Sequence, residues 1–172
     1  LAGEAAGLHA AWASDGGDYG GQLATAGEEG SLYVSVGAAL QEVIMGMIGP
    51  TEEVAAEKIG TPLQTGDSRY EESRFSDNTL ADLQNDLSGA RDVYLGGVST
   101  FVAAQDARLD QLVRAQFDQA LEALAAVGPS FDAALHDHPE ALRAAQQAIF
   151  TLNHTLMTRV APLVGGVEGD DD

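Results

Sequence analysis

SDNTLADLQNDLSGARDVYLGG, residues 76–97, is the stretch on which the reading of the fold turns. Leu80, Leu83, Leu87, Ala90 and Tyr94 recur at intervals of three and four, the spacing that puts side chains on one face of an α-helix. Ser76, Asp77, Asn78 and Thr79 ahead of it are all credible N-caps, and Thr79 with Asp82 fits a capping box. Gly96-Gly97 reads as the stop signal. A second stripe, Asn78, Asp82, Asn85, Gly89 and Asp92, runs beside the leucines on a half-buried flank. Gly89 inside a helix costs about 1 kcal/mol relative to Ala, so close approach by a backbone or a ligand is expected there.

The same rhythm extends in both directions. Leu142, Ala145, Ile149, Leu152, Leu156, Val160 and Leu163 form one stripe. Leu109, Leu112, Phe117, Ala120, Leu124 and Val127 form another, ended by Gly128-Pro129. Leu32, Val36, Leu40, Val43 and Met47 predict a broad apolar helix with a kink at Gly49-Pro50, because proline lacks a backbone donor and clashes one turn back. A short first helix is expected from about Leu1 to Trp12. Residues 60–76, GTPLQTGDSRYEESRFS, carry no stripe and read as a long loop, a feature that is often functional in a compact bundle. No sustained strand-type alternation occurs. The expectation is an all-α, four-helix-bundle-like single domain over residues 1–172, with a short extra N-terminal helix and a long loop before the third main helix.

Composition narrows the function. The chain of 172 residues has 27 acidic against 8 basic residues, a formal charge of -19, and no cysteine. With a pI near 4.2 it is a poor partner for nucleic acid, whose phosphates require cations, and for an anionic membrane surface. The absent cysteines exclude disulfides, thiolate metal sites and thiol nucleophiles. No apolar run reaches the length of a transmembrane segment. HExxH, GxSxG, P-loop and GxGxxG motifs are all missing, so no nucleotide cofactor is expected. His136 and His138 flank Asp137 in an exposed connection, which reads as solvated. The acid is spread along the chain with one block at residues 168–172, and reads as a solvated surface whose stability depends on ionic strength.

The run EKIGTPLQTGDSRYEESRFSDNTLADLQNDLSGARDVYLGG, residues 57–97, resembles the C-terminal half of imelysin-like proteins. The segment SRFSDNT, the Asp82 and Asn85 spacing, and ARDVYLG carry the likeness. Trp12 before a Gly-rich turn, the STF segment from Ser99, QDARLD and the closing PLVGGVEGDDD extend it in order. The resemblance implies an all-helical envelope protein built of two bundle-like halves, associated with bacterial iron uptake in the periplasm and also classed among peptidases. It implies a site between the halves, whose Gly-x-His-x-x-Glu motif belongs to the N-terminal half. Here Gly7-Leu8-His9-Ala10-Ala11-Trp12 departs from that pattern, so the N-terminal half is expected to lie outside this chain.

Carried onto this sequence, the resemblance gives Ser76, Asn78 and Asn85 as ligand-binding candidates, with Arg74 and Tyr94 as neighbours. Asp77 and Asp82 are the metal candidates, since carboxylates are hard oxygen ligands suited to iron. Arg74 is suited to pair with a carboxylate of the other half or of a ligand. The leading expectation is an iron- or haem-binding protein of iron acquisition, partnered by its N-terminal half or by a second copy of the chain. The alternatives are a metallopeptidase, which needs a metal-activated water and a general base, and a non-catalytic interaction module.

Overall fold

The computed structural model describes residues 2–164, and its regular elements are helical throughout, with no strand among the described residues. Two compact units are distinguished. The first comprises the segment before Val43 together with Val164. It holds α1 (Ala2–Trp12), α2 (Tyr19–Ala24) and the first turns of α3 (Val36–Glu53). No residue of α1 or α2 is buried. The Trp12 and Tyr19 rings lie 5.7 Å apart, and Asp18 caps α2 by accepting from the Gly21 amide.

The second unit, Val43–Leu163, is the bundle. The rest of α3 widens into a π-helical segment, Val54–Ile59, and runs on as α4 (Gly60–Thr65). After a 3-10 turn at Ser68–Tyr70 come α5 (Thr79–Val93), a π-helical segment Tyr94–Val98, and α6 (Ser99–Gln105). Then follow α7 (Ala107–Ala125), α8 (Phe131–Asp137), α9 (Pro139–Thr155), a third π-helical segment Leu156–Val160, and α10 (Ala161–Val164). The long helices pack as expected from their stripes, with α7 against α9 the most extensive interface and α5 against α7 next. Ile44, Met47, Ile59, Leu83, Leu87, Phe117, Leu124, Leu142, Ile149 and Leu152 fill the core. No described helix is long and apolar enough to cross a membrane.

Several details differ from the sequence expectation. Residues 60–65 are helical rather than loop, continuing directly from the π-helical segment, with Pro62 buried within them. Gly96-Gly97 does not stop the third main helix. The chain continues through them as a π-helical turn, held by the buried Tyr94 on one side and the buried Ser99 on the other. Leu32 and Val36 are exposed, and α3 begins only at Val36. In α7, Val113 rather than Leu112 faces the core. The acidic block at residues 168–172 and Leu1 lie outside the described residues.

Pro50 lies within α3, where it cannot donate to the carbonyl one turn back. Neighbouring carbonyls of the same helix also accept from side chains. The Thr51 hydroxyl donates to the Met47 and Ile48 carbonyls at 3.0 and 2.9 Å. Asn153 of α9 donates to the Ile48 carbonyl at 2.8 Å and to the Thr51 hydroxyl at 2.9 Å, all of it buried. One turn on, Gln146 of α9 donates to the Ala55 carbonyl in the first π-helical segment at 2.9 Å. Gly60 makes room for it, since a Cβ there would stand 2.8 Å from the Gln146 amide nitrogen.

Asn153→Ala removes two buried hydrogen bonds, to the Ile48 carbonyl and the Thr51 hydroxyl, and leaves a void in their place, which costs about 1–3 kcal/mol. Urea unfolding should show that loss, whereas His154→Ala, at the exposed neighbouring position, should stay within about 0.5 kcal/mol of the parent.

Candidate functional site

The start of α5 and the segment before it form one hydrogen-bonded construction. Asp82 lies in the first turn of α5. Its Oδ2 accepts from the Ser73 hydroxyl at 2.5 Å and its Oδ1 from the Asn78 side-chain amide at 2.6 Å. Both donors are neutral, and among the described residues no cation pairs with Asp82. Its orientation is therefore set from two sides, with no ion pair to compensate a negative charge. The positive end of the α5 dipole favours that charge.

The capping box expected from Thr79 and Asp82 is not formed. Thr79 is buried and its hydroxyl faces the preceding segment, donating to Glu71 Oε1 at 2.8 Å and accepting from the Ser73 amide at 3.0 Å. Asn78 occupies the N-cap position without a side-chain cap bond, and its amide nitrogen donates to Asp82 instead. The Ser76 hydroxyl donates to the Ser73 carbonyl at 3.1 Å, so it supports the same turn. Asp77 adopts a left-handed backbone, φ 52°, an uncommon conformation for a residue other than Gly but one that Asp tolerates. Its carboxylate accepts from the hydroxyl of Ser130, the N-cap of α8, at 3.1 Å.

Beside this turn is a polar pocket of about 390 Å3 lined by Ser68, Glu71, Arg74, Asp77, Ser130 and Asp132. Arg74 makes no ion pair among the described residues, and its guanidinium lies 5.1 Å from the ring centroid of Phe75, which is 97% exposed. Among the described residues no three His, Asp or Glu side chains come together in a way that would hold a metal ion. His136 and His138 are engaged locally, His136 with the Asp132 carbonyl and His138 with Glu140.

The candidates therefore separate. Asn78 and Asp82 meet directly, Ser76 braces them, and Arg74 and Asp77 line the adjoining pocket. Asn85 does not join them. With Asp86 and Gly89 it lines an open groove of about 490 Å3 between α3 and α5, floored by Val43, Met47, Ala90 and Val93. Tyr94 is no neighbour of the site either, being fully buried in the core. Its hydroxyl donates to Asp110 Oδ1 at 3.0 Å, and its ring lies 5.7 Å from that of Phe117. Asp110 also accepts from Ser99 at 2.6 Å and from Arg114 at 2.9 Å, and Arg114 bonds Ser99 in turn. Burial pushes the Asp110 carboxyl up, but the donors Ser99, Arg114 and Tyr94 outweigh it and hold the group below the usual carboxylate range.

Sequence reasoning missed Ser73, Glu71 and Lys58. Ser73 and Glu71 lie in a stretch without periodicity, and nothing in their spacing links them to α5. Lys58 carried a compositional signal, as the only lysine of the chain.

Comparison with known proteins places this geometry in context. A family model for imelysin matches residues 1–157. Iron-regulated protein A of Synechococcus elongatus is 37% identical over 174 residues, an alignment that covers 94% of this chain and 49% of the relative. The chain thus spans about half the length of the curated relative it matches. No solved structure matches it significantly.

Two outcomes are expected for the buried network. Tyr94→Phe removes one of three donors to Asp110 and should lower stability by about 1 kcal/mol in urea unfolding. Because the folded Asp110 carboxyl lies below its unfolded value of 3.8, its contribution is complete above that pH and is lost as pH falls through the folded value. As pH falls below 3.8, the parent should therefore lose more stability than Asp110→Asn does.

Proposed function

Because the chain belongs to the imelysin family, we propose that it is an iron-related protein of the bacterial envelope, periplasmic in location, that handles iron as cargo rather than acting as a catalyst. The relative's name, iron-regulated protein A, supports the connection with iron. The observation that carries the reading is the Asp82 carboxylate, oriented by Ser73 and Asn78 and paired with no cation among the described residues. A hard oxygen donor whose orientation is already set suits ferrous or ferric iron, and its outer hydrogen bonds are the kind that tune a metal ligand.

Asp82 by itself is one ligand. Asp77, on the adjoining pocket, is the second carboxylate within the same turn, and Arg74 beside it is suited to an anionic group arriving with the metal, such as a haem propionate or a chelating carboxylate. Water and the N-terminal half of the family's length complete the coordination in this proposal. Asn85 and Tyr94 take no part.

Calorimetric titration with ferrous iron under argon, ferric iron from a weak chelate, and haem tests this. Iron should bind the chain with measurable heat, more tightly once the N-terminal half is added. Asp82→Asn, which keeps an acceptor but loses the charge, should weaken iron binding by at least about tenfold. Iron binding that is absent, or that Asp82→Asn leaves unchanged, contradicts the proposal. Binding of haem alone, independent of Asp82, would move the function to the Arg74 pocket.

A further inference from the structure

The chain's one lysine is surrounded by acid. Lys58 Nζ lies 2.8 Å from Asp86 Oδ2, 3.0 Å from Glu72 Oε1 and 4.0 Å from Glu53 Oε1. Its side chain is 18% exposed, the most shielded cation among the ion pairs described. Burial pulls its proton affinity down, but the hydrogen bonds to Asp86 and Glu72 outweigh that and hold the ammonium charged well above the ordinary lysine range.

The three carboxylates belong to three different elements. Glu53 ends α3, Asp86 is one turn beyond Asp82 on α5, and Glu72 immediately precedes Ser73. Lys58 itself sits in the π-helical segment Val54–Ile59. One ammonium therefore fastens both sides of the Asp82 arrangement. Through Asp86 it holds the helix that carries the carboxylate. Through Glu72 it holds the segment that brings the Ser73 hydroxyl to it. Glu71, on the other side of Glu72, bonds Thr79 and closes the same loop against α5.

We infer that Lys58 is a positioning residue for Asp82: by bridging Glu72 and Asp86 it sets the Ser73 hydroxyl against the Asp82 carboxylate, and so governs how well that carboxylate binds a cation. The inference about affinity rests on the iron reading above, whereas the inference about geometry does not.

Two variants separate positioning from plain charge. Lys58→Gln removes a positive charge and Glu72→Ala a negative one, so Coulomb effects alone would strengthen cation binding in the first and weaken it in the second. Loss of positioning weakens both. Each variant is titrated with ferrous iron, and hydrogen exchange is followed at the Ser73 amide, which donates to Thr79 in the parent. Helix content by circular dichroism identifies any variant that has merely unfolded, and Lys58→Arg restores the charge. Both Lys58→Gln and Glu72→Ala should bind iron about tenfold more weakly and expose the Ser73 amide to faster exchange, with Lys58→Arg recovering both properties. Tighter or unchanged iron binding in Lys58→Gln, while Asp82→Asn still weakens it, overturns the affinity claim alone. Unchanged Ser73 exchange in both variants overturns the positioning claim itself. Should Asp82→Asn leave iron binding unaltered, the iron reading falls and the Ser73 exchange still judges Lys58.

Discussion

A proline inside a core helix is the constraint on which the rest of the bundle depends. Pro50 interrupts the donor ladder of α3, yet the chain must stay helical beyond it, because Val54, Ala55 and Ile59 are core residues and Lys58 lies among them. Around the proline, polar side chains from a distant helix hold the backbone. Asn153 and Gln146 of α9 reach backbone carbonyls on either side of the transition from α-helical to π-helical winding. Buried amide donors of this kind bind strongly where the dielectric is low and are costly to lose. They fix the rotation of the π-helical segment and therefore the direction in which Lys58 projects.

From Lys58 the constraint passes to the site. A surface ion pair is worth little, but an ammonium shared among carboxylates of three elements, itself mostly shielded, restricts geometry more than an isolated pair does. What it restricts is the segment ahead of α5. That segment would otherwise be a polar loop with an exposed Phe75 and little burial, and it acquires order from Glu71, Ser73, Thr79 and Asp82 bonding one another. The carboxylate that results is oriented but not neutralised. In a chain with 27 acidic residues, charge alone distinguishes no position. Orientation by two neutral donors does distinguish Asp82.

The fold was largely legible in the sequence because apolar periodicity reports burial directly. Leu80, Leu83, Leu87, Ala90 and Tyr94 were read as one face and are all buried. Where the reading erred, a tertiary bond had overridden a local signal. Gly96-Gly97 is a helix stop by propensity, but Tyr94 and Ser99 on either side are both bonded to Asp110 on α7, and the helix carries on. The same burial removed Tyr94 from the candidate site, since a stripe position beside polar residues does not reveal which way a large ring will turn. Of the site, the pair Asn78 and Asp82 was legible because residues four apart on a helix are neighbours. Ser73, Glu72 and Lys58 were not, because their contacts depend on how an aperiodic turn and a π-helical segment close onto α5, and periodicity carries no such information.

In the proposed reading, the organised cation position among the described carboxylates is at the Asp82 end of α5. A ferrous iron titration of the nitrogen-labelled chain, followed by amide resonances, tests it most directly, because the paramagnetic ion broadens the amides nearest to it first. Ser73, Asn78 and Asp82 are expected to broaden before the rest of the chain. Broadening that spreads evenly over the acidic surface, or that begins at another carboxylate group, would contradict it.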